Sequence, residues 1–196
     1  MRIAIVGAGN VGGTLGRKWA AKGHEIRIGS RKPEAGEYSI IDAASQSDIV
    51  VLSTPWPAVD SAITACGSLA GKILIDCTNP LLPDLSGIEL GTTTSGAEHV
   101  ASLAPGAFVV KAFNSTGFNV MADPIFEGKP VTMFYCGDDP AAKQTVHQLI
   151  ADAGFDPLDA GPLTQARLLE PFALLWISLA YRQGLGREIA FRFVKR

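Results

Sequence analysis

The chain has 196 residues, 47% of them apolar, with a formal net charge of −2 and an isoelectric point near 5.9. That is the size of one domain able to bury a real core, and its weak acidity gives no electrostatic basis for binding nucleic acid or an anionic membrane. The three cysteines, Cys66, Cys77 and Cys136, are odd in number and form no CxxC pair, which argues against a disulfide framework or a zinc site and for a reduced, cytoplasmic setting.

Along the chain, short apolar runs alternate with helical patterns, as a doubly wound parallel sheet requires. Strands are expected at residues 3–6, 25–28, 38–41, 49–53, 72–76, 108–113, 132–136 and 155–159. Most are continuous apolar runs rather than alternating ones, which fits strands covered on both faces. Helices are expected at 11–22, 58–66, 95–103, 119–122 and 141–153, and the final segment, 163–194, reads as largely helical with breaks at Gly184 and Gly186. Met1 and Arg2 lead straight into the first strand and leave no room for a signal peptide. The most apolar stretch, 172–181, is ten residues long, against roughly 20 for a membrane span, so it reads as a buried helix. The expectation is a single α/β domain over residues 1–196, with 163–196 as a C-terminal helical extension.

The first strand runs into Gly7-Ala8-Gly9-Asn10-Val11-Gly12, a GxGxxG turn at the mouth of a helix. Gly7 can make the tight turn, Gly9 lets backbone approach a pyrophosphate, and Gly12 permits close helix–strand packing. Unpaired N–H groups at the helix N-terminus then face the phosphates. A lone GxGxxG is weak, but this one sits between a strand and a helix in a βαβ unit, the context of a Rossmann-type, mostly parallel sheet. The end of the second strand selects the nucleotide. An acid there would hydrogen-bond a ribose 2′-hydroxyl, whereas this chain continues Gly29-Ser30-Arg31-Lys32 with no acid before Glu34. A hydroxyl and two cations suit a 2′-phosphate, so the cofactor is expected to be NADP.

Ligands in such sheets bind beyond the carboxyl ends of the strands. Ser53, Thr54, Pro55 and Trp56 follow the fourth strand, and Asn79 follows the fifth. Each of the polar residues is either a cofactor contact or a turn residue capping the next helix. Trp56 either flanks the adenosine or simply packs. Ala112 and Asn114, at the end of the sixth strand, should face the nicotinamide; Lys111 is either an acid or a structural partner. His24, His99 and His147 read as surface or packing histidines, with no partner evident for His99. No catalytic acid–base set and no metal site emerges, which favours hydride transfer to a second redox cofactor, where positioning is the main requirement.

Taken together, these residues resemble the NADPH-dependent reductases of the deazaflavin coenzyme F420 and their bacterial relatives. The resemblance covers nearly the whole chain. It rests on the glycine turn, Gly29-Ser30-Arg31, Ser53-Thr54-Pro55-Trp56, Cys136-Gly137-Asp138-Asp139, Asp159-Ala160-Gly161-Pro162-Leu163 and Arg167-Leu168-Leu169-Glu170. The strand Val110-Lys111-Ala112-Phe113-Asn114 is more similar to the cytosolic NADPH-binding domain of membrane ferric reductases, which supplies hydride to a flavin. The resemblance implies NADP held by the glycine turn and Ser30-Arg31, a deazaflavin or flavin ring as the small-molecule acceptor, and a homodimer, which is common in the family. The family's deazaflavin reductases carry a histidine at the position of Asn114, and hydroxyl residues at those of Pro171 and Ala173. The competing expectations are an imine or carbonyl reductase related to the pyrroline-5-carboxylate reductases, and a non-catalytic NADP(H)-sensing module.

Overall fold

In the computed structural model, which describes all 196 residues, the apolar runs become the strands of an eight-stranded sheet. Its members are β1 (Arg2–Val6), β2 (Glu25–Ser30), β3 (Tyr38–Ser39), β4 (Ile49–Leu52), β5 (Ile73–Asp76), β6 (Phe108–Lys111), β9 (Thr132–Gly137) and β10 (Asp156–Asp159). A separate hairpin pairs β7 (Ile125–Phe126) with β8 (Lys129–Pro130). The main sheet has the order β10-β9-β6-β5-β4-β1-β2-β3. Strands β1 to β6 are parallel, β9 runs antiparallel to β6, and β10 is parallel to β9. The mostly parallel doubly wound architecture is therefore present, with two reversed strands at one end.

Helices cover both faces: α1 (Asn10–Ala21), α2 (Ile40–Ser45), α3 (Val59–Cys66), α4 (Gly96–Leu103), α5 (Phe118–Ala122), α6 (Pro140–Asp152) and α7 (Ala166–Ile177). Alternate residues of β1 enter separate cores. Ile3 and Ile5 join a cluster with Leu15, Trp19 and Phe113, while Ala4 and Val6 join one with Ile40, Val59 and Leu169. This two-sided burial is why the strands read as unbroken apolar runs. The chain leaves β1 for β2 on one side and later returns to β4 on the other. The connections therefore diverge at the β1/β4 boundary and open a crevice beyond the strand ends.

Two expected elements differ. Residues 38–41 contribute only a two-residue strand before α2 begins at Ile40, because the Ser39 hydroxyl caps the helix, accepting from the Asp42 N–H at 3.2 Å. A serine cap outweighs the strand preference of a short Ser-Ile-Ile run. The final segment is helical only through Arg182: α7 passes into one π turn, and residues 183–196 carry no regular structure. That tail is held by distant groups instead. Trp176 Nε1 donates to the Ile189 carbonyl at 2.7 Å, Asn119 Nδ2 to that of Arg187 at 2.7 Å, and the Thr132 N–H to that of Phe191 at 3.1 Å. No helix is long and apolar enough to cross a membrane.

Candidate functional site

Gly7 sits at φ +96°, a conformation that L side chains rarely adopt, and a Cβ there would lie 2.7–2.8 Å from the backbone of Ser53 and Thr54. Gly12 is equally confined: its Cβ would collide with the Gly7 carbonyl, with Ser53 Oγ at 2.5 Å and with Ile5. Ser53 Oγ donates to the Gly7 carbonyl at 2.7 Å, so this side chain braces the turn. Gly9 is different. A Cβ there would meet nothing within 4 Å, so its backbone borders open space at the N-terminus of α1. Gly9 is the N-cap residue and offers no side-chain cap, and no acid occupies the first turn. The first N–H groups of α1 therefore point at that space without a protein partner, the arrangement that receives a phosphate.

Two cavities meet at this turn. The first, about 380 Å³, lies between the glycine turn, the end of β2 and helices α2 and α3. Ile40, Pro55, Ala58 and Ala62 give it apolar walls, and Ser30 and Arg31 stand at its mouth. The Arg31 side chain has no ion-pair partner in the chain, and Ser30 Oγ accepts from the Lys32 N–H at 3.2 Å. Glu37, missed in the sequence because it lies eight residues beyond Gly29, lines the same cavity. Its carboxylate accepts the Glu34 N–H at 3.1 Å and so is partly engaged within its own turn.

The second cavity, about 480 Å³, is lined by Gly9, Asn10 and Val11, by residues 53–57 after β4, and by 77–79 and 81–85 (Asp84 excepted) after β5. Thr54 and Pro55 line both cavities, so the two adjoin at the glycine turn. At the junction, Thr54 Oγ1 is buried without a hydrogen-bond partner. An orphaned hydroxyl at that seam, beside the open face of Gly9, fits a bound phosphate and ribose. These features fit an extended, phosphate-bearing ligand laid across the glycine turn.

The floor of the second cavity is fixed by pairs between strand ends. Asn79 Nδ2 donates to the Asn114 carbonyl, and Asn114 Nδ2 donates to Asn79 Oδ1 and the Leu169 carbonyl, all at 3.0 Å. Asn114 Oδ1 keeps no partner. Below them Lys111, fully buried, lies 2.8 Å from both Asp76 and Glu170, which are also fully buried. It also donates to the Thr78 carbonyl at 2.5 Å. Burial alone would lower the Lys111 pKa, but the two carboxylates more than offset it and hold the ammonium above its ordinary range. Glu170 also accepts the N–H groups of Gly96 and Ala97 at the start of α4, at 2.8 and 3.0 Å. Lys111 is thus a structural partner and not an acid. Burial pushes the Cys77 thiol well up, with Asp76 adding to the effect, so it stays protonated against the cavity wall.

Several expectations shift. Trp56 lines the second cavity and not the one beside Arg31, and its Nε1 donates to Glu89 at 2.8 Å. Ala112 is fully buried, Asn114 is buried behind Asn79, and Lys32 is exposed; none of the three lines either cavity. His99 does have a partner, Asp60 at 2.9 Å; His24 pairs with Asp152 at 2.8 Å and His147 with the Tyr135 hydroxyl at 3.1 Å. The segments 136–139 and 159–163 line neither of these two cavities, and Cys136 pairs in register with Lys111 at the end of β6. Asp138 and Asp139 sit beside Phe108 at the start of β6, and Asp138 accepts the Leu163 N–H at 2.8 Å.

Residues 2–80, which hold the whole first βαβ unit and the strands flanking the groove, match the family model described as NADP oxidoreductase, coenzyme F420-dependent. The F420-dependent NADP reductase of Methanocaldococcus jannaschii is 30% identical, over 96% of this chain and 98% of that one. Metalloreductase STEAP3 of Rattus norvegicus is 32% identical over 88% of this chain, which spans only 36% of that relative's length. Among solved structures, a protein from Arthrobacter sp. FB24 described as an F420-dependent NADP-reductase superposes with a TM-score of 0.90. It is 32% identical, with 100% of both chains covered. The chain therefore belongs to the F420-dependent NADP reductase family of NADP-dependent oxidoreductases.

Proposed function

We propose that this chain transfers hydride between NADP(H) and a second redox ring, a deazaflavin or a flavin, laid against the nicotinamide. The observation that carries the reading is the pair of adjoining cavities that share Thr54 and Pro55, one bordered by Arg31, which has no ion-pair partner, the other lined by no charged side chain. In this reading Ser30 and Arg31 hold the 2′-phosphate, with Lys32 adding charge from outside the cavity. Residues Gly7 to Gly12 and Thr54 receive the pyrophosphate and its ribose, while Asn79 and Asn114 orient the carboxamide. Bound there, NADPH supplies a hydride from the nicotinamide C4. The protein's part is to orient the rings and exclude water, because the only titratable group lining the second cavity is the protonated thiol of Cys77. The names of the M. jannaschii and Arthrobacter relatives support the deazaflavin, and that of the metalloreductase supports a route toward metal reduction.

The test has two arms. NADPH oxidation is followed at 340 nm on adding F420, riboflavin, FMN or ferric chelates, with turnover expected for at least one ring acceptor. Turnover only with imines or carbonyl compounds would reject the reading, and NADPH binding without any oxidation would indicate a sensing module. Separately, Arg31→Ala should weaken NADPH by roughly 1.5–3 kcal/mol, the worth of a hydrogen bond to a charged group, and leave NADH nearly unchanged. Equal weakening of both nucleotides overturns the 2′-phosphate assignment.

A further inference from the structure

A site for an unphosphorylated ribose carries an acid at the end of its second strand, where this chain has Gly29-Ser30-Arg31-Lys32. The fold brings an acid to the same place from another element. Arg31 and Glu37 are the only charged residues among the fifteen that line the first cavity. They share its wall with Ser30, yet no ion pair joins them. Each charge is therefore free to meet a ligand rather than the other.

Glu37 is fixed from both sides along the chain. Its N–H donates to the Glu34 carbonyl at 2.9 Å, and the Glu34 N–H donates back to Glu37 Oε2 at 3.1 Å, closing a four-residue turn. Gly36, third in that turn, has φ +89°, the sign a type II turn demands there. Directly afterwards Tyr38 and Ser39 pair in parallel with Gly29 and Ser30, and the Arg27 guanidinium lies 5.9 Å from the centre of the Tyr38 ring. Glu37 thus stands one residue before the strand pair, level with Ile28 and next to the run that carries Ser30 and Arg31. It is half-buried, and its Oε1 accepts no hydrogen bond within the chain.

We propose that Glu37 is a second coenzyme-selecting residue, its carboxylate accepting from the 2′-hydroxyl of an unphosphorylated adenosine ribose, so that NADH shares this site with NADPH. The assignment rests on the proposed nucleotide site and widens the ligand class it takes. The two coenzymes draw on different side chains. A 2′-phosphate gains Ser30 and Arg31 but meets the like charge of Glu37. A 2′-hydroxyl gains a charge-assisted hydrogen bond to Glu37 and nothing from the Arg31 charge. Glu37 therefore narrows the advantage that Arg31 gives to NADPH.

Direct binding tests this without turnover. For the full chain at low ionic strength, fluorescence titration should give a measurable Kd for both nucleotides, that for NADPH lower by about tenfold. Glu37→Gln keeps an oxygen to accept the Glu34 N–H, so Tm should not move. The variant should bind NADH about fivefold more weakly, the difference between a charge-assisted and a neutral hydrogen bond. It should bind NADPH about threefold more tightly, as a screened repulsion of the 2′-phosphate is lifted. The gain for NADPH should fade at about 0.5 M salt while the loss for NADH persists. Equal shifts for the two nucleotides, including none, would mean that the carboxylate does not sense the 2′ position, and would overturn the proposal while leaving the nucleotide site intact. A wild-type chain that binds NADPH and not NADH would overturn it too. If neither nucleotide binds, the proposed function fails, and this assignment with it.

Discussion

Lys111→Met isolates the buried ionic network and gives a magnitude that the geometry fixes in advance. Methionine fills nearly the same volume, so the change removes charge more than packing. It leaves Asp76 and Glu170, both fully buried, facing the site from which their shared cation has gone. Removing one partner of a buried pair costs about 3–5 kcal/mol, because the remaining charge has no solvent to turn to. Here two carboxylates lose the same partner. Other hydrogen bonds remain to each: Thr78 N–H and Oγ1 to Asp76, and the Gly96 and Ala97 N–H groups to Glu170. Those contacts keep the expected loss near about 4 kcal/mol, a large share of the roughly 5–15 kcal/mol typical of domains. In a chain of this length that lowers Tm by about 10 °C. Urea unfolding followed by far-UV circular dichroism, with m unchanged, measures it. Adding Glu170→Gln to Lys111→Met should restore part of the loss. A loss under about 1 kcal/mol for the single variant would refute the reasoning, since it would mean the network contributes little net free energy. The wild-type chain carries a matching alkaline signature. Because the folded Lys111 is raised above its ordinary 10.5, its contribution is complete below that pH and fades as pH climbs through the folded value.

Thr54→Val removes a buried hydroxyl that has no partner in the chain. Stability should hold or rise by up to about 1 kcal/mol while NADPH affinity falls about tenfold by fluorescence titration; unchanged affinity would remove Thr54 from the phosphate site. Gly9→Val places branched carbons in the open space at the helix mouth, so nucleotide binding should be lost while the circular dichroism spectrum and Tm stay near wild type. Binding that survives the change would show that the turn is only a turn. Glu98→Gln removes the carboxylate that the Arg167 hydrogen bonds hold below its usual pKa. A depressed carboxylate stabilises above its unfolded pKa of about 4.3 and loses that contribution as pH falls through the folded value. The variant should therefore be about 0.5–1 kcal/mol weaker at pH 7, with the deficit shrinking as the pH is lowered below the unfolded value in urea titrations. A deficit that does not change with pH would contradict this.

What could be read in the sequence was local. The glycine turn, the absence of an acid at the end of β2 and the unbroken strand runs each encode their geometry within a few residues. The short Ser-Ile-Ile run at 39–41 misled because apolarity alone does not separate a strand from a helix start. The serine three residues before Asp42 carried the signal that decided it. The tail after Arg182 was not legible, since what fixes it are partners such as Thr132 and Asn119, over 50 residues away in sequence. The same holds for Lys111 and Glu170, which are 59 residues apart in sequence. Glu37 lines the first cavity because the turn between β2 and β3 carries it beside the end of β2, a placement that strand register alone did not reveal.

The reversal of β9 sets which parts of this protein can change independently. Strands β9 and β10 point the opposite way from the other six, so the loops leaving them emerge at the far edge of the sheet. The second cavity draws part of its wall from the segment between β5 and α4, which closes on itself through its own backbone bonds. The proposed 2′-phosphate contacts, Ser30 and Arg31, lie at the end of β2, on the other side of β1. On the proposed function, a transplant of residues 80–95 between relatives should change the reaction partner and leave the coenzyme preference where it was, two traits inherited separately on one scaffold.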